Sequence, residues 1–339
     1  MIRKRFILFA VCALLILGLF SGCAETGNTG TTTRPSLDDK QLSVVATVFP
    51  AYDWTRQIIG GNERRVALTL LLDKGVDLHS YQPTVEDIYK ISTCDVFIYI
   101  GGESDKWVPD ALAQAENENM IVLNLMETLG SAAREEETLE GMEEHEEHGE
   151  HGEHEAEEEG PEYDEHVWLS LRNASVLCGA IEKALETADP DAGESYRRNF
   201  EAYNEKLTAL DADYTEALAA AQRHTLLFAD RFPFLYLAKD YDLNCYAAFS
   251  GCSAESEASF ETVNFLVGKV DELELPCVMK LENSDSRLAE TIVANSKAQN
   301  AKILELNSIQ SVTARGVEAG VTYLGVMEEN LEVLKQALN

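Results

Sequence analysis

The sequence predicts an α/β protein built from two parallel-sheet domains joined by one long connector helix. Three observations predict it. Short apolar runs alternate with helical patterns up to about residue 125, the same alternation resumes after residue 224, and one long amphipathic pattern lies between them. Strands alternating with helices in this way form mostly parallel sheets covered by helices.

In the first half, SVVATVF (43–49), VALTLLL (66–72), DVFIYIG (95–101) and MIVLNL (120–125) read as buried parallel strands, because apolar residues follow one another without polar alternation. Helices are expected between them near 51–60, 84–93 and 105–116. In the second half the strands are TLLFA (225–229), CYAAF (245–249), CVMKL (277–281) and KILEL (302–306), with helices near 232–241, 257–274 and 285–299 and a last one near 316–338. Between the halves, Tyr196, Phe200, Tyr203, Leu207, Leu210, Tyr214 and Leu218 recur every three or four residues, which marks one face of a helix from about 192 to 222. At 1.5 Å per residue it would be about 45 Å long. TADPD separates it from an earlier helix near 172–187. A stiff connector of that length restricts how far the two domains can swing apart.

The start of the chain reads as a targeting segment. MIRKRF is a basic stretch, ILFAVCALLILGLF an apolar one, and Cys23 follows small residues as in a bacterial lipoprotein cleavage site. A plain signal peptide or an uncleaved anchor is the alternative. The expected organisation is a signal peptide over 1–22, a flexible tether over 23–42 with Cys23 lipidated, an N-terminal domain over 43–170, connector helices over 171–223 and a C-terminal domain over 224–339. The body is expected outside the cell membrane and tied to it.

The formal net charge of −33 argues against a nucleic-acid partner. It suits attraction of cations, although much of it lies in the run EEHEEHGEHGEHEAEEEG, with His145, His148, His151 and His154 at every third position. Its glycines and unbroken Glu predict a disordered loop over about 133–163, able to hold a metal only weakly. After Cys23, five cysteines remain (Cys94, Cys178, Cys245, Cys252 and Cys277), and none forms a CxxC pair. They read as buried thiols, with a Cys245–Cys252 bridge as the alternative.

Ligands of open parallel sheets bind beyond the carboxyl ends of the strands. That rule selects Asp230, Glu282, Asn307 and Ser308 in the second half, and His79, in the segment following VALTLLL, in the first. His166 follows the acidic run. Two imidazoles and one or two carboxylates suit a divalent transition metal.

GVDLHSYQPTVEDI (75–88) and DEHVWLSLRNA (164–174), in this order before a long helix, resemble the substrate-binding lipoproteins of zinc and manganese ABC transporters. The resemblance implies an extracytoplasmic receptor holding one ion between two domains and passing it to a membrane permease driven by a cytoplasmic ATPase. Zinc is the favoured cargo, manganese the next, and a monomer is expected. It implies that His79 and His166 are the first two ligands. The family's third ligand position falls on Ala229, which cannot coordinate, and its fourth on Asn307, a poor ligand. Asp230 and Glu282 are the neighbouring carboxylates that would replace them. Two other readings are an extracellular zinc-dependent hydrolase, which no HExxH or nucleophile elbow supports, and a surface adhesin on the same fold.

Overall fold

The computed structural model describes residues 41–142, 162–253 and 257–339. The leader, Cys23, nearly all of the tether, and His145, His148, His151 and His154 lie outside the described residues. Two four-stranded sheets form the body. The first contains β1 (Leu42–Ala46), β2 (Val66–Leu70), β3 (Val96–Tyr99) and β4 (Ile121–Asn124), in the order β2-β1-β3-β4. The second contains β5 (Thr225–Phe232), β6 (Asn244–Ser250), β7 (Cys277–Leu281) and β8 (Lys302–Leu306), in the matching order β6-β5-β7-β8. Every ladder is parallel. The apolar runs explain this: Val44, Val45 and Ala46 of β1 and Val96, Phe97 and Ile98 of β3 are buried without alternation, as strands covered on both faces must be.

The helices follow the predicted pattern with local differences. They are α1 (Phe49–Ile59), α2 (Val85–Thr93), α3 (Val108–Leu112), α4 (Leu125–Leu129), α5 (Leu171–Ala188), α6 (Gly193–Ala219), α7 (Leu235–Asp240), α8 (Phe260–Glu272), α9 (Arg287–Asn295), α10 (Ala314–Glu318) and α11 (Tyr323–Leu338). The expected last helix is two helices, because Gly320 takes φ +89° and Thr322 caps a fresh start. The expected helix at 105–116 is a 3₁₀ turn followed by one short helix. Short α4 was not expected, since its five residues are too few to show a period. Among the described residues, no helix is long and apolar enough to cross a membrane.

α6 is the connector. Its 27 residues bury Tyr196, Tyr203, Leu207, Leu210, Tyr214 and Leu218 along one face. That face packs on α5, on α1 of the first half and on α11 of the second. α11 also returns to the first half: Tyr323 meets Trp54 edge-on at 5.2 Å, and its backbone N–H donates to buried Asp53 at 2.8 Å. One hydrophobic cluster therefore runs through both halves, and a second, smaller one lies within the C-terminal half.

One correction concerns the acidic loop. Disorder was expected over about 133–163, yet 133–142 and 162–163 are structured at the loop's base. Glu135 bridges Tyr163 in antiparallel fashion, the Arg134 N–H donates to the Tyr236 hydroxyl at 2.9 Å, and Met142 is buried. Gly141, at φ +81°, lies so close to the Phe265 ring that a Cβ would stand 2.1 Å from it. Backbone pairing and these contacts with the second half supply the burial that the Glu-rich composition hides.

Candidate functional site

His79 sits in a 3₁₀ turn (Leu78–Ser80) in the segment after β2. Asp77 caps the turn, accepting the His79 N–H at 3.0 Å, and Leu78 is buried beneath it. His79 Nδ1 lies 2.7 Å from Ser104 Oγ and 3.5 Å from Glu165 Oε2. Glu165 is itself fixed, since its other oxygen accepts the Ser104 N–H at 2.7 Å. Gly102 makes this possible: its φ is +84°, and a Cβ there would stand 2.5 Å from Glu165 Oε1.

His166 precedes a second 3₁₀ turn, Val167–Leu169, whose three side chains are all buried. Asp164 Oδ1 accepts from the His166 N–H at 2.8 Å and lies 2.9 Å from His166 Nδ1. A carboxylate only accepts, so Nδ1 carries the proton and Nε2 is left for a ligand. The Trp168 indole donates to the Ser308 carbonyl at 2.8 Å, tying the turn to the second half.

Both imidazoles thus present Nε2, and the two nitrogens stand 3.3 Å apart. Two nitrogens at the usual zinc–nitrogen distance and a tetrahedral angle would be separated by about 3.3 Å as well. The pair is electrostatically asymmetric. Burial and the neighbouring His166 pull the His79 pKa down to about 3. Burial opposes charge on His166 too, but Asp164, together with Glu165 and Asp77, more than offsets it and raises that pKa. Glu165 is pushed up to about 7 by burial, against the pull of Ser104, and its Oε2 has no hydrogen-bond partner among the described residues.

The third member of the cluster comes from the second half. One donor atom each from His79, His166 and Cys252 lie within 4.8 Å of one another. Cys252 follows β6, and Gly251 lets that turn approach: a Cβ there would stand 3.2 Å from His166 Cε1 and 2.9 Å from the Phe232 carbonyl. The expected alternative for Cys252, a bridge to Cys245, is not formed; both are free thiols. Burial raises the Cys252 pKa, helped by the charges of Glu136, Asp164 and Glu165.

The two carboxylates selected from the sequence lie elsewhere on the cleft wall. Asp230 and Glu282 line it together with Asp77, Ser80 and Arg231. Asp230 accepts the Leu281 N–H at 3.0 Å and the Arg231 N–H at 2.9 Å. Glu282 accepts the Ser308 N–H and hydroxyl, both at 2.7 Å, and the Ser311 hydroxyl at 3.2 Å. Neither joins the histidine cluster. Ala229 is buried and brings no donor, and the Asn307 amide oxygen accepts the Ile309 N–H. A register shift in β5 between Phe228 and Arg231 marks a bulge, and Arg231 beyond it reaches Asp77 across the cleft at 2.5 Å. Sequence reasoning passed over Cys252, Asp164, Glu165 and this ion pair. The spacing of Asp164 two residues before a histidine was a usable signal, since such an Asp can reach Nδ1.

A model of the family described as zinc-uptake complex component A, periplasmic, matches residues 44–337. The chain belongs to this family. Among curated relatives, the zinc-binding lipoprotein AdcA of Streptococcus pneumoniae is 33% identical over 301 residues, covering 88% of this chain and 56% of that one. The chain thus spans little more than half of that longer relative. The high-affinity zinc uptake system protein ZnuA of Bacillus subtilis is 29% identical over 340 residues, covering 100% of this chain and 99% of that one. The crystal structure of the Zn(II)-bound ZnuA-like domain of Streptococcus pneumoniae AdcA superposes with a TM-score of 0.67 at 29% identity, covering 88% of this chain and 99% of that one. The two parallel-sheet halves and the long helix are therefore the family's architecture.

Proposed function

We propose that this chain is an extracytoplasmic receptor that captures zinc between its two α/β halves and delivers it to an ABC permease, driven by a cytoplasmic ATPase, for import. The observation that carries the reading is the apposition of His79 and His166, Nε2 to Nε2 at 3.3 Å, each ring held from behind through Nδ1. Such outer hydrogen bonds fix the tautomer and orientation that a metal requires. The family's description and the names of the AdcA and ZnuA relatives support zinc as the cargo. Manganese is the second cargo in this reading. Cys23 would carry the lipid that ties the receptor to the membrane, and the receptor would act as a monomer.

Asp230 and Glu282 enter the proposal as the carboxylates at the switch point of the second sheet, where β5 and β7 lie side by side. Their oxygens already hold backbone N–H groups and they stand outside the histidine cluster, so they favour a bound cation through their field. The four histidines of the acidic loop would hold zinc weakly and raise its concentration near the cleft.

The test is a competition titration with a zinc chelator on the purified chain. One tight site is expected, with zinc bound more tightly than manganese. The reading fails if the parent shows no tight site, or if His79→Ala and His166→Ala both bind zinc as the parent does.

A further inference from the structure

We propose that Cys252 is a metal ligand of this site, and that its thiolate sets the preference for zinc over manganese. The inference rests on the receptor reading above and adds a ligand to it. Three features of the cleft carry it. The sulfur lies within 4.8 Å of a donor atom on each histidine, whereas Asp230 and Glu282 join no such cluster. A tetrahedral zinc holding one imidazole and one thiolate separates nitrogen and sulfur by about 3.6 Å, so the thiol has to approach by no more than about 1.2 Å. That movement is small for a side chain at the end of a strand.

Gly251 supplies the second feature. It brings the backbone beyond β6 against the His166 ring and the Phe232 carbonyl, at distances where any side chain would collide. The turn is therefore shaped to place the following residue beside the imidazoles. The third feature is the poverty in free donors of the rest of that wall among the described residues. Ala229 has no donor atom, Arg231 is a cation paired with Asp77, and the Asp230 and Glu282 carboxylates are engaged by backbone N–H groups. Two imidazoles from one half need a donor from the other if the ion is to close the cleft.

The chemistry follows from the donor set. Coordination replaces the S–H bond by a Zn–S bond, and the proton leaves to solvent; zinc stays divalent and nothing is oxidised. Glu136, which accepts the Cys252 N–H at 3.4 Å, and the Asp164 and Glu165 carboxylates add negative potential for the dication. A soft thiolate favours zinc, while manganese prefers oxygen donors. A site of two histidines and one cysteine therefore discriminates by ligand type as well as by size.

Cobalt(II) replaces zinc and reports a bound thiolate by an intense near-ultraviolet charge-transfer band. The experiment uses the full chain carrying Cys12→Ser and Cys23→Ser, so that the remaining thiols are the five of the body. The band is expected in this parent and is expected to disappear in Cys252→Ser, whose zinc affinity should fall by about a hundredfold or more. Cys252→Asp should recover part of the zinc affinity and narrow the zinc-to-manganese ratio by about tenfold or more. If the parent binds zinc tightly, shows no sulfur band, and Cys252→Ser binds equally well, the thiol is not a ligand and the receptor reading stands. If the parent does not bind zinc, both fall. Should Cys252→Ser fail to fold by circular dichroism, the parent's cobalt band decides, because Cys94, Cys178, Cys245 and Cys277 lie outside the cluster.

Discussion

On the N-terminal side of the cleft, both imidazoles are braced from behind by other side chains. Ser104 and Glu165 stand behind His79, Asp164 stands behind His166, and the two Nε2 atoms already face each other. On the C-terminal side the polar groups are committed to other partners. Asp230 holds the end of β7, Glu282 holds the Ser308–Ser311 turn, and Arg231 pairs with Asp77. Only Cys252 among the described C-terminal residues joins the histidines. The two sheets have the same strand order, so this difference comes from side chains and from the β5 bulge, not from topology. One half is a rigid cradle, and the other is a wall that brings one soft donor and a field.

Removing the cradle should have the largest effect. His79→Ala or His166→Ala should weaken zinc binding by about a hundredfold or more, since losing a ligand exceeds the 10–100-fold typical of losing an outer partner. Folding should survive in both, because neither imidazole belongs to the apolar core that holds the two halves together. Chelator competition together with thermal unfolding separates the two effects. A fall confined to one variant would mean that the histidines do not share an ion.

The braces themselves come next. Asp164→Asn keeps the shape and removes the charge behind His166, and should cost about 10–100-fold in zinc affinity at neutral pH. The pH dependence gives an independent reading. Asp164, helped by Glu165 and Asp77, raises the His166 pKa above its ordinary 6.5, and a protonated imidazole cannot coordinate. Affinity should therefore fall as pH is lowered through that raised value, with the decline beginning above 6.5. His79, depressed to about 3, adds no proton of its own over that range. In Asp164→Asn the acid limb should move to lower pH even as neutral affinity drops. An acid limb that stays in place would assign the proton competition to another group.

The carboxylates of the second half should matter less to binding and more to folding. Glu282→Gln leaves the Ser308 N–H and hydroxyl facing an amide, and should destabilise the protein by about 1–3 kcal/mol. Asp230→Asn disturbs the Leu281 and Arg231 N–H groups in the same way. Zinc affinity should fall by less than about tenfold in either, the scale of a field effect. A loss as large as that of the histidine variants would place the carboxylate in direct contact with the ion, as the sequence pattern suggested.

That contrast also explains what could be read in advance. The eight strands, the connector and the pairing of His79 with His166 were legible, because buried parallel strands, helical periodicity and two local motifs are written in adjacent residues. Strand ends likewise marked Asp230 and Glu282 as cleft residues. What a strand end does not reveal is which polar group its side chain already serves, and that depends on residues such as Leu281 and Ser308 brought in by folding. Cys252 was hidden for the same reason. A cysteine beside a glycine after a strand looks like any buried thiol until the turn is seen against His166.

The smallest expected change comes from the acidic loop. Its base is part of the fold: Glu135 pairs with Tyr163, Met142 is buried, and Lys239 and Lys269 of the second half pair with Glu137 and Glu140. Those exposed ion pairs each contribute little, but the backbone pairing and Met142 fix where the loop leaves the body. Replacing 143–160 by a short Gly–Ser linker keeps that base and removes all four histidines, His145, His148, His151 and His154, together with most of the Glu run. If the cradle and Cys252 supply the tight site as proposed, its affinity should be unchanged, and only the weaker sites seen at higher zinc should be lost. The unfolding temperature should be unchanged as well. Uptake should then suffer only when zinc is scarce, where a local reservoir raises the rate of capture. Loss of the tight site on this replacement would mean that a loop histidine completes the coordination sphere, and would turn the loop from a reservoir into a third wall of the cleft.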